Sequence, residues 1–201
     1  NGNHFTQATG ANKPEYQTGV LNSQPGFWFD GAAYYAEIAA FLSGNAEVFM
    51  VLKCFNSGGS DTWGAYKFDG GTLASHITFL GTLYTNLGGT NRNSYVPGAG
   101  VVTSGFVHQV VVQAGSNNWL IYENGNNLKG TATHTIDWGS GTSPRHMIGA
   151  SSSNANGSGQ SNWFKGHILE IQIYNSVRTT AERNAILADF NSRYGITLTN
   201  F

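Results

Sequence analysis

The pair Asn124-Gly125 constrains this chain more than any other feature, because it sits between the alternating run Trp119-Leu120-Ile121-Tyr122-Glu123 and a strand-like segment that leaves at Leu128. Asn and Gly accept the two positive φ angles of a type I′ turn, whose twist matches that of paired strands. The segment is therefore expected to be an antiparallel β-hairpin. Strand patterns recur on both sides of it, around Phe27 to Phe29, Tyr34 to Ile38, Val48 to Phe55, Gly64 to Phe68, His76 to Phe79, Val107 to Gln113, Arg145 to Ile148 and Ile168 to Tyr174. Turn residues separate them, which is the spacing of a sandwich or barrel.

A chain of 201 residues fits one large all-β domain, 1–201, without a second core. With 27 glycines, 10% charged, 40% hydrophobic and 13% aromatic residues, it reads as short strands joined by tight turns and not as a disordered tail. The net charge of −1, with no basic patch, argues against nucleic acid, whose binding depends on Lys and Arg neutralising phosphates. No apolar run is long enough to cross a bilayer and no charged-then-apolar leader is visible. The chain opens at Asn1 without a Met, which is compatible with processing or with excision from a longer polypeptide.

The first residues, 1–25, with Asn12-Lys13-Pro14 and Gln24-Pro25, read as an irregular lead-in lying against the sandwich. In the last long strand, a period of two puts Leu169, Ile171 and Ile173 on a core face, with Glu170, Gln172 and Tyr174 on a face that is concave or solvated. One segment reads as a helix, 179–195. Thr179-Thr180-Ala181-Glu182 is a capping-box sequence, Ile186, Leu187, Phe190 and Tyr194 recur at helical spacing, and Gly195 is placed to stop it.

Taken in order, Phe106 to Gln113, the Asn124-Gly125 hairpin, Met147-Ile148-Gly149-Ala150 and Phe164 to Asn175 resemble the second half of a laminin G-like, concanavalin A-like jelly roll. Phe27-Trp28-Phe29-Asp30-Gly31 is similar to the family's early strand and turn, and Arg193-Tyr194-Gly195-Ile196 to the close of its terminal helix, so the resemblance covers nearly the whole chain. It implies an all-β, antiparallel jelly-roll sandwich with one C-terminal α-helix, of the kind found in bacterial and phage surface proteins. Two departures stand out. Phe106 replaces the family's usual Trp, and Ala32, Ala33 and Tyr34 occupy the region where an acidic residue often follows the Asp-Gly turn, which weakens an inherited metal site.

Catalysis finds little support. The resemblance extends to laminarinase-like glycosidases, whose strand carries several carboxylates, but the comparable strand here keeps only Glu170. Glycoside hydrolysis needs a pair, and Asp137 or Glu37 would have to approach Glu170 in space to supply it. His4, His76, His108, His134, His146 and His167 are scattered, without a metal or triad motif. Cys54, the lone cysteine, lies in an apolar run that reads as a strand covered on both faces, and is expected to be a buried, inert thiol.

Binding is better supported. Two polar loops, 56–63 and 151–163, carry amides beside indoles, the combination that hydrogen-bonds sugar hydroxyls and stacks on the C–H face of a pyranose. The candidate ligand-binding residues are Asn56, Asp61, Trp63, Trp138, Asn154, Asn156 and Trp163. Asp61, with Asn56 or Asp69, is the candidate metal ligand for calcium, an ion common in the wider family that takes oxygen donors. Asn156-Gly157-Ser158 is an acceptor sequence for N-glycosylation in a eukaryotic secretory setting. The expected function is a noncatalytic, lectin-like carbohydrate-binding or surface-attachment module, not an enzyme, with a polysaccharide or cell-surface glycan as partner, displayed outside the cell or on a virion. The alternative is a structural virion subunit, a capsid decoration or tail-fibre domain, acting through protein contacts.

Overall fold

The computed structural model describes residues 4–55, 66–67, 75–85, 87–89, 92–115, 118–138, 145–150 and 162–201. Among them, after a 3-10 turn at Gly10–Asn12, thirteen strands and two α-helices follow one another as β1 (Glu15–Leu21), β2 (Gln24–Asp30), β3 (Ala36–Ala39), β4 (Ala46–Cys54), β5 (Tyr66–Lys67), β6 (His76–Phe79), β7 (Thr82–Thr85), β8 (Asn93–Tyr95), α1 (Val101–Ser104), β9 (Phe106–Val112), β10 (Trp119–Glu123), β11 (Leu128–Ala132), β12 (Arg145–Ile148), β13 (Lys165–Tyr174) and α2 (Thr180–Tyr194). A seven-stranded antiparallel sheet runs β1-β2-β13-β4-β9-β10-β11, and two three-stranded sheets run β3-β12-β5 and β6-β7-β8. Strands far apart in sequence thus lie side by side, with β13 inserted between β2 and β4. This is an antiparallel jelly-roll sandwich with one long C-terminal helix.

Period-two alternation divides the large sheet into two apolar faces. Val48, Met50, Leu52, Phe106, Val110, Trp119 and Ile121 join Ile77, Leu83, Trp138 and Phe164 in the main core. Phe49, Val51 and Val107 point the other way and are covered by Phe190, Tyr194 and Ile196. β4 is consequently buried on both faces, as its unbroken apolar run requires. Each large side chain buried under α2 contributes about 1.5–3 kcal/mol. The helix itself is fixed by its ends. Thr179 and Glu182 form a reciprocal capping box, and Gly195 at φ 66° closes the last turn by donating its N–H to Asn191 O.

Three expectations are revised by tertiary context. The 1–25 lead-in is not irregular throughout, because Glu15 to Leu21 pairs with β2 as the edge strand of the large sheet. Leu169 does not share a face with Ile171 and Ile173: a bulge between Ile168 and Glu170 shifts the register, and Leu169 packs with the helix-side cluster. Asn124 and Gly125 do adopt positive φ, but four residues, 124 to 127, separate β10 from β11. The C-terminal segment occupies this wider turn, with Asn126 donating to Thr199 O at 2.8 Å and Thr199 donating to Asn124 O at 3.0 Å.

Candidate functional site

The turn after β2 is organised by Asp30, whose Oδ1 accepts the N–H groups of Ala32, Ala33 and Tyr34 at 2.9, 2.9 and 3.0 Å. Burial raises the Asp30 carboxyl, but these backbone donors outweigh it and hold its pKa below the ordinary value. Gly31 follows at φ 77° and donates to Phe164 O at 2.9 Å; a Cβ there would stand 2.9 Å from Lys165 Cβ. Beside this turn the Phe55 N–H donates to Lys165 O at 3.1 Å. Phe55, the last described residue before 56–63, and Lys165, two positions after 151–163, therefore lie next to each other, although the sequence separates them by about a hundred positions. Of the expected site residues, Asn56, Asp61, Trp63, Asn154 and Asn156 lie outside the described residues, as does Asp69.

Trp163 is half-buried at this end and packs against Tyr35, with ring centroids 5.9 Å apart. The backbone of Tyr35 is held by the N-terminal segment: its N–H donates to Asn12 O, and its carbonyl accepts from Gln7 Nε2, both at 3.1 Å. Trp138 has a different role from the one expected. It is only 4% exposed, its indole N–H donates to Gly44 O at 2.6 Å, and its ring lies where a Cβ on Gly88 would have to be, so it packs in the core and presents no face to a sugar.

The outer face of β1, β2 and β13 carries a group that the sequence reading missed. Glu15, Trp28, His167 and Lys53 are successive cross-strand neighbours on four adjacent strands. The Trp28 and His167 rings are 4.9 Å apart, and Phe55, 65% exposed, lies 6.0 Å from Trp28 with the Lys165 ammonium 4.8 Å from its ring centre. His167 Nε2 meets Gln17 Oε1 at 2.9 Å. Burial, and secondarily the Lys53 charge, push the His167 pKa below its ordinary value, so the imidazole is neutral near pH 7. The alternation of Phe27, Trp28 and Phe29 sends Trp28 outward, but its partners become visible only once β13 is placed beside β2.

A cavity of about 610 Å³ opens on the inner side of the same strands, between Phe5 and Pro14 of the N-terminal segment and Phe27, Phe29 and Ile168. Glu170 also borders this cavity, but its carboxylate is engaged by other side chains. Arg193 and Tyr194 of α2 donate to its Oε2, and Gln172 donates to its Oε1 at 2.6 Å. Burial raises the Glu170 carboxyl, yet these donors leave its pKa lowered, the reverse of what a general acid needs. No cluster of three or more His, Cys, Asp or Glu side chains that could hold a metal occurs among the described residues. None of the helices among those residues is long and apolar enough to cross a membrane.

No protein-family model and no curated protein matches this chain. Solved structures do share its fold. An HCR/D point mutant aligns at TM-score 0.62 with 10% identity, covering 98% of this chain and 49% of that one. Domain 4 of AbnA, a GH43 extracellular arabinanase from Geobacillus stearothermophilus solved with arabinotriose, aligns at 0.56 with 14% identity over 87% of this chain and 81% of that one. The CBM40 of the Ruminococcus gnavus IT-sialidase, bound to α2,3 sialyllactose, aligns at 0.53 with 13% identity over 73% and 83%. The chain thus spans about half the length of the first structure and about four fifths of the other two. At these identities the likeness defines the class of fold, a β-sandwich shared with carbohydrate-binding domains.

Proposed function

We propose that the chain is a noncatalytic carbohydrate-binding module of the laminin G-like type, which attaches an extracellular or virion-borne protein to a glycan. The observation that carries this reading is the half-buried Trp163–Tyr35 ring pair, two residues from Lys165, which pairs with Phe55 at the start of the polar segment 56–63. A rigid sandwich supports such loops with little effect on its core, and an indole among amides suits the mixed apolar and hydroxyl surface of a sugar. The two neighbours solved with arabinotriose and sialyllactose support the reading by sharing the fold. Glu170, the carboxylate kept on the strand comparable to that of the glycosidases, has its oxygens engaged by Tyr194 of α2 and by Gln172, which suits a structural role better than proton transfer.

The test is a glycan-array screen of the purified chain, with and without calcium, alongside Trp163→Ala and Trp63→Ala. Binding to a defined glycan that either substitution weakens about tenfold or more supports the proposal, and calcium dependence brings Asp61 forward. A folded protein that binds no glycan at any density and self-associates through a large apolar interface refutes it in favour of a structural virion subunit.

A further inference from the structure

We infer that the outer face formed by Trp28, Phe55, His167 and Gln17 is an additional saccharide platform, one that takes a neutral pyranose. The inference rests on the reading that the chain binds glycans, and it adds a place that neither polar loop contains. Helix α2 covers the outer face over β4 and β9, while Phe55 is left 65% exposed beside Trp28. Lys165 occupies one face of the Phe55 ring, and Phe55 meets the half-buried Trp28 edge to face at 72°, so stacking is left to the other Phe55 face and the outer part of Trp28.

The polar groups match hydroxyls. With His167 Nε2–H donating to Gln17 Oε1, the Gln17 amide N–H₂ is left as a donor and His167 Nδ1 as an acceptor, the two kinds of group that sugar hydroxyls pair with. Charge around the face balances. Lys165 is paired in register with Asp30 across neighbouring strands, and Lys53 stands at the far end of the same cross-strand row as Glu15, with β2 and β13 between them. A balanced field selects neither an anionic nor a cationic ligand. One exposed ring, Phe55, beside the half-buried Trp28 and His167 makes a patch too small for the roughly 800 Å² per partner of a stable protein interface.

The test follows the indole N–H signals of Trp28 and Trp163, assigned by Trp→Phe variants, in ¹⁵N-labelled full chain. Maltohexaose, cellohexaose, xylohexaose and chitohexaose are titrated as neutral probes, and an oligogalacturonate as the anionic one. A Trp28 response to a neutral probe is expected, weakened about fivefold to tenfold by Phe55→Ala or by Gln17→Ala. It should change less than about twofold between 50 and 500 mM NaCl, because screening acts on charge and not on stacking. A response of Trp163 without Trp28 overturns the platform and leaves the glycan reading standing, and a response of neither overturns both. A Trp28 response to the anionic probe alone overturns the neutral class. A shift driven only by protein concentration assigns the face to a second copy of the chain and overturns the inference.

Discussion

Glu47 is fully buried on the outer face of β4, and its carboxylate ties the sheet to the start of α2. Oε1 accepts from Gln109 Nε2 at 2.6 Å and Arg183 Nε at 2.8 Å, while Oε2 accepts from the Arg178 backbone N–H at 2.7 Å and Arg183 Nη2 at 3.2 Å. Arg183→Met removes two of these four donors and, among the described residues, the countercharge that the carboxylate contacts. Breaking one side of a buried pair costs about 3–5 kcal/mol, and Arg183, 12% exposed, belongs near 3. Glu47→Met should cost a similar amount, because it strands Arg183 and Gln109. The double substitution should fall short of the sum by about 2 kcal/mol, since neither charge is then left without its partner. Urea unfolding followed by circular dichroism reads this as a midpoint lowered by about 1 M in each single variant, at a slope near 3 kcal/mol/M. Single costs below about 1 kcal/mol that add within about 0.5 kcal/mol would refute the buried pair as the clamp between sheet and helix.

Gly149→Ala should destabilise by about 3 kcal/mol or more, because φ is 81° and the new Cβ would lie 2.0 Å from Phe29 Cδ1; a thermal melt checks it, and an unchanged midpoint would contradict the packing. Burial lowers the His108 pKa to about 3 and that of His146 to about 4, so below about pH 6.5 the unfolded chain binds protons that the folded chain refuses. Stability should therefore fall as pH drops from 6.5 toward 4, by about 1.4 kcal/mol per unit for each histidine, and NMR titration of either ring near pH 6.5 would sink the idea. Burial also pushes the Cys54 thiol up, and it donates to Ile77 O at 3.4 Å, so Ellman's reagent should label it only after denaturant is added; rapid labelling of native protein would show that β4 opens.

The parts of this molecule that local chemistry governs were legible in the residues. Helix α2 follows from Thr179, Glu182, the Leu187–Phe190–Tyr194 stripe and Gly195, all read within one window of sequence. The buried character of β4 follows likewise from an apolar run without alternation. Strand β1 escaped notice because Glu15-Tyr16-Gln17-Thr18-Gly19-Val20-Leu21 has no continuous apolar face, and it is a strand because β2 offers it an edge. The candidate platform was hidden for a related reason. Trp28, His167 and Phe55 come from three segments whose adjacency depends on β13 entering between β2 and β4.

Period, capping and turn chemistry, which act over a few residues, determined by sequence alone that this chain alternates short strands and ends in a capped helix. Only the tertiary structure decided which polar face of β13 was spoken for. Glu170 and Gln172 looked like lining for a concave surface until α2 folded back and brought Arg193 and Tyr194 onto them. The physical reason is that a period of two assigns a side chain to one side of a sheet but says nothing of what covers that side. The covering element lies more than twenty residues away for Glu170, and more than a hundred away for Glu47 and Arg183, so the cover is set by nonlocal packing and charge pairing.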